Sequence, residues 1–267
     1  MSVTGHKVAL VTGGSSGIGR ETAFCLRDAG CRVYEFSRRD NRPEGIVHLT
    51  ADVTDEEDVK LAVSQILRAE GQIDILVCCA GYGISGAAEM TDPADAHRQL
   101  DVNLFGTDRV IRAVLPGMRE RGAGRIVCIS SVAGVLPIPF QLWYSVSKSA
   151  ILSYCLALQN EVRPYGVTVC AVLPGDVQTG FTDARKRSSA GDGVYGGRIS
   201  RSVAVMEHDE RTGWSAARLG KAVARLALKQ RSRPLVTPGL SYQLATFAAK
   251  ILPRRFSNRI IGLIYAK

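Results

Sequence analysis

Tyr144 and Lys148 stand four apart in Tyr144-Ser-Val-Ser-Lys148, and residues at i and i+4 share one face of a helix. A phenol and an ammonium can then point into one cleft. An unperturbed phenol, with a pKa of ~10, is a poor general base at neutral pH. One ammonium ~4 Å away at an effective dielectric of ~20 contributes roughly 4 kcal/mol, or about 3 pKa units in favour of phenolate. The spacing predicts a general acid/base at Tyr144, tuned by Lys148. Ser131 lies 13 residues upstream at the end of an apolar run, where its hydroxyl can meet a substrate oxygen. Asn103 can complete a water-linked proton relay.

A second constellation is Thr12-Gly13-Gly14-Ser15-Ser16-Gly17-Ile18-Gly19. It follows a short apolar run and opens a helical stretch, the context of a dinucleotide-binding turn. Gly13 suits backbone angles closed to other residues, Gly17 lets the main chain approach a pyrophosphate, and Gly19 permits close helix–strand packing. The helix start then offers N–H groups and a positive dipole end to phosphate. The next apolar run, Val33-Tyr34-Glu35-Phe36, ends at Ser37-Arg38-Arg39. An acid at that end would bind the ribose 2′-hydroxyl of NAD, whereas two guanidiniums suit a 2′-phosphate. NADP(H) is therefore the expected cofactor. Asp52, at the end of a third run, is placed to reach the adenine edge.

The elements that must position these groups alternate along the chain. Lys7–Val11, Arg32–Phe36, Val47–Thr50, Ile75–Cys79, Arg125–Ile129, Val167–Leu173 and Pro234–Val236 read as strands, several rich in Val and Ile. Gly17–Ala29, Asp55–Arg68, Asp101–Arg119, Ser145–Arg163 and Ala216–Lys229 read as helices. Thr54 with Glu57 forms a capping box, so the acids at 55–57 mark a helix start rather than a metal site. Apolar strands alternating with helices imply a parallel sheet covered on both faces. The expected fold is one Rossmann-type, doubly wound α/β domain of about seven strands over residues 1–239, followed by a basic helical extension at 240–267. The stretch Asp176–Thr212, rich in Gly, Ser and charge, resists assignment and reads as a long functional loop.

Composition bounds the class. The chain has 267 residues, 46% of them hydrophobic and 22% charged, which excludes disordered and collagen-like proteins. No apolar run approaches the ~18 residues of a membrane-spanning helix, and the early run Val8–Val11 is too short for a secretory leader. The cysteines at 25, 31, 78, 79, 128, 155 and 170 are odd in number and lack metal-ligand spacing, as expected of buried free thiols in a reducing compartment. A cytoplasmic location follows as the expectation. The net charge of +9 comes wholly from residues 211–267, which hold 12 basic residues and no acid. Such a block suggests an anionic partner, or else a solvated basic face; nucleic acid is not expected, because no recognition module accompanies the charge.

With both constellations in hand, residues 5–180 resemble the short-chain dehydrogenase/reductase family. Thr12-Gly13-xxx-Gly17-Ile18-Gly19, Asp52-Val53, Asn103-Leu-Phe-Gly106, Ile129-Ser-Ser131, Tyr144-xxx-Lys148 and Pro174-Gly175-x-Val177-x-Thr179 match its motifs in order. The resemblance implies a catalytic tetrad of Asn103, Ser131, Tyr144 and Lys148. Tyr144 would give a proton to the carbonyl oxygen, Ser131 would stabilise that oxygen, Lys148 would also bind the nicotinamide ribose, and Thr179 would contact the carboxamide. A departure falls at Cys78-Cys79-Ala80-Gly81, where the family has Asn-Asn-Ala-Gly; Ala80 and Gly81 remain as cofactor contacts, and Cys79 bears on local rigidity. The family also implies a homodimer or homotetramer through the helices carrying Asn103 and Tyr144.

Other stretches resemble the branch of the family that acts on lipophilic carbonyls, namely hydroxysteroid, retinol and acyl-dihydroxyacetone-phosphate enzymes. They are Asp74-Ile-Leu-Val-Cys, Leu100-Asp-Val-Asn-Leu-Phe-Gly and Leu136-Pro-Ile-Pro-Phe140. The segment Val135–Trp143 can wall a pocket or pack in the core. The tail Leu244–Ile264 interleaves apolar residues with Lys250, Arg254, Arg255 and Arg259; it suits a membrane surface, and docking on the domain or on a partner subunit is the competing account. The expected activity is hydride transfer between NADP(H) and an alcohol or ketone of a lipophilic substrate. An NADP(H)-sensing regulator and a peripheral membrane adaptor are the alternatives.

Overall fold

The computed structural model describes residues 5–40, 43–229 and 233–266. Arg231 and Lys267 of the basic block lie outside these described residues. In chain order the elements run β1 (Val8–Thr12), α1 (Gly17–Asp28), β2 (Arg32–Ser37), β3 (Val47–Thr50), α2 (Glu56–Glu70), β4 (Ile75–Cys78), β5 (Ile84–Ser85) and α3 (Pro93–Leu100). They continue with α4 (Gly106–Glu120), β6 (Gly124–Ile129), α5 (Leu142–Val162), β7 (Val167–Val172), β8 (Val177–Gln178), α6 (Phe181–Ala184), β9 (Lys186–Arg187) and α7 (Arg198–Thr212). The chain closes with β10 (Trp214–Ser215), α8 (Ala216–Leu228), β11 (Leu235–Val236), α9 (Leu240–Ile251) and α10 (Arg254–Tyr265).

Seven strands form one parallel sheet in the order β11-β7-β6-β4-β1-β2-β3. Successive side chains of a strand point to opposite faces, and β1 shows the result. Val8 and Leu10 join a core cluster with residues of α2, α4 and α5, while Ala9 and Val11 join one with α1 and α8. Both faces are therefore dry, which is why the strands read as continuous apolar runs. The strand order reverses between β1 and β4, so a crevice opens beyond the carboxyl ends of those two strands.

Three local readings are corrected. Helix α2 is capped by Asp55, whose carboxylate accepts from the N–H groups of Glu57 and Asp58 at 2.8 and 3.0 Å. Thr54 instead turns its hydroxyl to Asp52, 2.8 Å away. The helix expected at 101–119 begins as a π-helical turn, Asp101–Phe105, and becomes α-helical only at Gly106. Its Asn103 is thereby set into the interior. The stretch 176–212 is no continuous loop: α7 fills its second half, and β8 and β9 pair with β10 and β5. Polarity hid α7, because its inward residues Ile199, Ser202 and Met206 are few and mixed.

Candidate active site

A cleft of about 1140 Å³ runs across the carboxyl ends of the strands, large enough for a dinucleotide and a second molecule together. At one end lies the turn between β1 and α1. Gly13 has φ +66°, and a Cβ there would lie 2.9 Å from the Ala80 backbone. A Cβ on Gly19 would lie 2.3 Å from the Gly13 carbonyl oxygen. The turn can close this tightly only with glycine at both places. The N-cap residue Ser16 makes no side-chain cap, so the first-turn N–H groups of α1 are left for an anion.

Of the residues expected around a cofactor, Gly13, Ser15, Ser16, Gly17, Ile18 and Gly19 line this cleft; so do Ser37, Arg38, Arg39, Asp52 and Val53. Ala80, Gly81, Pro174, Gly175, Val177 and Thr179 line its floor and farther wall. Thr12 stands behind the wall. Its hydroxyl accepts from the N–H groups of Cys79 and Ala80 at 3.1 and 3.2 Å, pinning the end of β4 to β1. The rigidity that Cys79 placed in question is supplied by that hydroxyl. The Cys79 thiol itself faces the cleft with its pKa pushed up to about 12 by burial, against the pull of Lys148.

Past β2, exposed Arg38 reaches 3.9 Å from the Asp52 carboxylate. Burial pushes the Asp52 pKa up, but hydrogen bonds from Thr54 and the nearby Arg38 and Arg98 outweigh it and hold the group below the usual carboxylate range. An acid does lie close by. Glu35 is fully buried against Gly14, where a Cβ would come within 2.5 Å of its own. Its carboxylate is held by the His48 ring and by the Ser37 hydroxyl, and desolvation raises its pKa. It is not among the residues that line the cleft, so Ser37, Arg38 and Arg39 present the strand end there.

At the other end Ser131, Tyr144 and Lys148 meet. The Tyr144 ring packs 5.5 Å from that of Phe181, centroid to centroid. Lys148 Nζ lies 5.7 Å from the centre of the Tyr144 ring and donates to the Ile129 carbonyl at 2.9 Å. The i, i+4 spacing therefore brings the two groups together as expected, but the electrostatic expectation is corrected. Burial pushes the Tyr144 pKa up to about 12; a hydrogen bond with Ser131 and the charge of Arg185 pull it down, while Glu210 and Asp176 push it up. Burial likewise lowers Lys148 to about 8, with Cys79 and Cys128 working the other way. The ammonium is aimed at a carbonyl, not at the phenol oxygen, and desolvation dominates both groups. Tyr144 in this form is a proton donor.

Asn103 does not line the cleft. Its side-chain oxygen accepts from Tyr82 N, and its amide donates to the Tyr82 carbonyl and the Ser147 hydroxyl, each at 3.0 Å. Ser147 in turn donates to the Tyr144 carbonyl at 2.7 Å. Asn103 thus braces the segment after β4 against the helix that carries Tyr144 and Lys148.

Several cleft residues carried no signal in the sequence. Tyr242 of α9 donates to Asp176 at 2.7 Å and accepts from the Asp176 N–H at 3.1 Å. Its ring lies so close to Gly175 that a Cβ there would fall 2.1 Å from it. Glu210 of α7 holds buried Arg185 and, at 2.7 Å, the Thr182 hydroxyl. Ile261, Ile264 and Tyr265 of α10 complete that wall. Among the described residues, no group of three or more His, Cys, Asp or Glu is placed to hold a metal ion, and no helix is long and apolar enough to cross a membrane.

Residues 7–190 match the family model described as short chain dehydrogenase. The chain is 40% identical over 227 residues to 3-ketodihydrosphingosine reductase of Bacteroides thetaiotaomicron, covering 84% of each chain. It is 35% identical over 193 residues to human 17-beta-hydroxysteroid dehydrogenase type 1, covering 66% of this chain and 58% of that one. A short-chain dehydrogenase structure from Streptomyces avermitilis superimposes with a TM-score of 0.81 at 28% identity, over 96% of this chain and 98% of the other.

Proposed function

The chain belongs to the short-chain dehydrogenase/reductase family, an oxidoreductase family acting on alcohol and keto groups, and from that premise we propose that it is an NADP(H)-dependent reductase of lipophilic ketones. The observation that carries the reading is a single cleft with a glycine cradle and two guanidiniums at one end, and Ser131, Tyr144 and Lys148 at the other. The cradle fits a dinucleotide, because glycine at 13 and 19 lets the turn close tightly and the uncapped first turn of α1 leaves N–H groups for its phosphates. When bound, the nicotinamide would supply the hydride. Arg38 and Arg39 would hold the 2′-phosphate, the first turn of α1 the pyrophosphate, and Lys148 the ribose hydroxyls.

Ser131 and Tyr144 then hold the carbonyl oxygen between two hydroxyls, and Tyr144 gives it the proton that completes the alcohol. Protonated Lys148 supports the charge that develops on the phenol oxygen. Asn103 is a positioning residue for both, through Tyr82 and Ser147. The raised phenol pKa keeps Tyr144 protonated at neutral pH, the form that reduction of a carbonyl calls for. We expect kcat/KM for reduction to stay level below about pH 8 and to fall above it, as Lys148 loses its proton while Tyr144 keeps its own to about 12. A pH profile checks this; the absence of a falling limb near pH 8 would contradict it.

Among lipophilic ketones, a long-chain amino ketone is the best supported substrate. Leu136, Ile138, Ile261 and Ile264 offer apolar lining. The Asp176 carboxylate acts on Tyr144 and is partnered by a phenol rather than a cation, its pKa raised by burial and by Asp209 and Glu210. An ammonium beside the reducible carbonyl would relieve that carboxylate, and 3-ketodihydrosphingosine, named for the bacterial relative, carries one. The test is turnover with NADPH on 3-ketodihydrosphingosine against steroid ketones and retinal. Asp176→Asn should raise KM for the amino ketone roughly 10- to 100-fold, the worth of one charged hydrogen bond, and leave steroid ketones nearly unchanged. Equal losses on both would refute the assignment. A homodimer or homotetramer would form through the helices carrying Asn103 and Tyr144, a reading supported by the exposed Phe105, Val146 and Leu156.

A further inference from the structure

Helices α9 and α10 each turn one face toward the domain, where it is partly covered, and leave an apolar face outward. Tyr242, Ala245 and Thr246 turn α9 inward, while Leu240, Leu244, Phe247 and Ile251 follow one another at helical spacing on its outer side. In α10, Ile261 and Tyr265 turn inward, and Phe256, Ile260, Leu263 and Ile264 lie outward. These eight outward side chains are between 47% and 72% exposed. A surface helix ordinarily buries its one apolar stripe, and apolar patches on this scale mark an interaction surface. The helices are held in place from behind. The Tyr265 hydroxyl donates to Asp209 at 3.2 Å, and Arg198 donates to the Ala266 carbonyl at 2.8 Å.

Charge identifies the partner. Lys250, Arg254, Arg255 and Arg259 are exposed around the turn that joins the two outer stripes, and residues 211–267 hold no acid to balance them. Apolar stripes flanked by cations match the boundary between acyl chains and anionic headgroups. Position adds a second argument. Ile264 is exposed and also lines the cleft, beside Ala245, Ile261 and Tyr242 from the same two helices. The outer patch is thus continuous with the substrate end of the cleft.

We propose that the outer faces of α9 and α10 dock on an anionic lipid bilayer and set the mouth of the cleft against it, so that a bilayer-resident substrate enters without crossing water. Only the route of entry rests on the reductase reading; the docking stands apart from it.

The test is cosedimentation of the full chain with vesicles of phosphatidylcholine and phosphatidylglycerol, or of phosphatidylcholine alone. The wild type should bind the mixed vesicles, and less so as salt rises. Replacing Lys250, Arg254, Arg255 and Arg259 with Gln should weaken partition by up to about a thousandfold, at about fivefold for each charge near the surface. Phe247→Ser with Phe256→Ser should abolish it. These side chains do not line the cleft, so turnover of a small soluble ketone should persist in both variants and shows that they are folded. Equal partition of wild type and variants would overturn the proposal. So would a wild-type dimer, seen by sedimentation velocity without lipid, that the two serine substitutions split. Loss of ketone turnover in the wild type with vesicle binding intact would instead count against the reductase.

Discussion

Replacing Tyr144 with Phe should lower turnover about a thousandfold, within the span of a positioned acid or base and equal to about 4 kcal/mol of barrier. NADPH affinity should change by less than about threefold, since the substitution leaves the ring that packs on Phe181 and removes only the hydroxyl that Ser131 engages. The rate loss should appear in kcat rather than in KM, because the proton moves only in the transition state. Single-turnover kinetics with NADPH, beside a direct titration of the cofactor, separate the two. A Phe variant with full turnover would remove Tyr144 from the chemistry and leave the cleft as a nucleotide holder.

The second large effect concerns the phosphate end. Arg38→Ala with Arg39→Ala should lower kcat/KM for NADPH by roughly 10²- to 10⁴-fold, since each hydrogen bond to a charged group is worth ~1.5–3 kcal/mol. The value for NADH should move by less than about tenfold. Arg38 is two-thirds exposed and only loosely tethered, 3.9 Å from Asp52, so it is free to turn onto a dianion. Glu35 sharpens the contrast. Its carboxylate sits two residues before Ser37, yet it is turned under Gly14 and held by His48. Wild-type kinetics that favour NADH, or a double variant that keeps its preference for NADPH, would sink the assignment.

Most of the sheet was legible because its inner strands β1, β2, β4, β6 and β7 are buried on both faces, which leaves a nearly uninterrupted apolar run between Gly, Asp or Ser residues. Val47–Thr50 agrees to the residue, and the other strands differ by a residue or two at either end. The placement of Tyr144, Lys148 and Ser131 was legible for a different reason: helix periodicity and strand ends fix where short spacings must point. What escaped depends on contacts between distant segments. No spacing tells that Asn103 will brace Tyr82 to Ser147, or that Lys148 will choose the Ile129 carbonyl over the phenol. The pKa of Tyr144 was misjudged for the same reason, since a pair interaction can be written from two residue types whereas desolvation requires the whole surrounding fold. Helix α3 was missed although Asp92 and Pro93 spell a start, the Asp92 carboxylate accepting from Ala94 N at 2.8 Å. Its eight residues carry too short an apolar pattern to stand out.

The contact between Tyr242 and Gly175 makes the last helices a detachable part of the pocket wall. The half of the molecule that would hold the nucleotide is built from the strands and their turns, whereas the half that would select the other reactant borrows side chains from the final thirty or so residues. Exchanging that segment between related chains, with Gly175 kept so that an aromatic ring can seat on it, gives a route to grafting one molecule's selectivity onto another's unchanged chemistry.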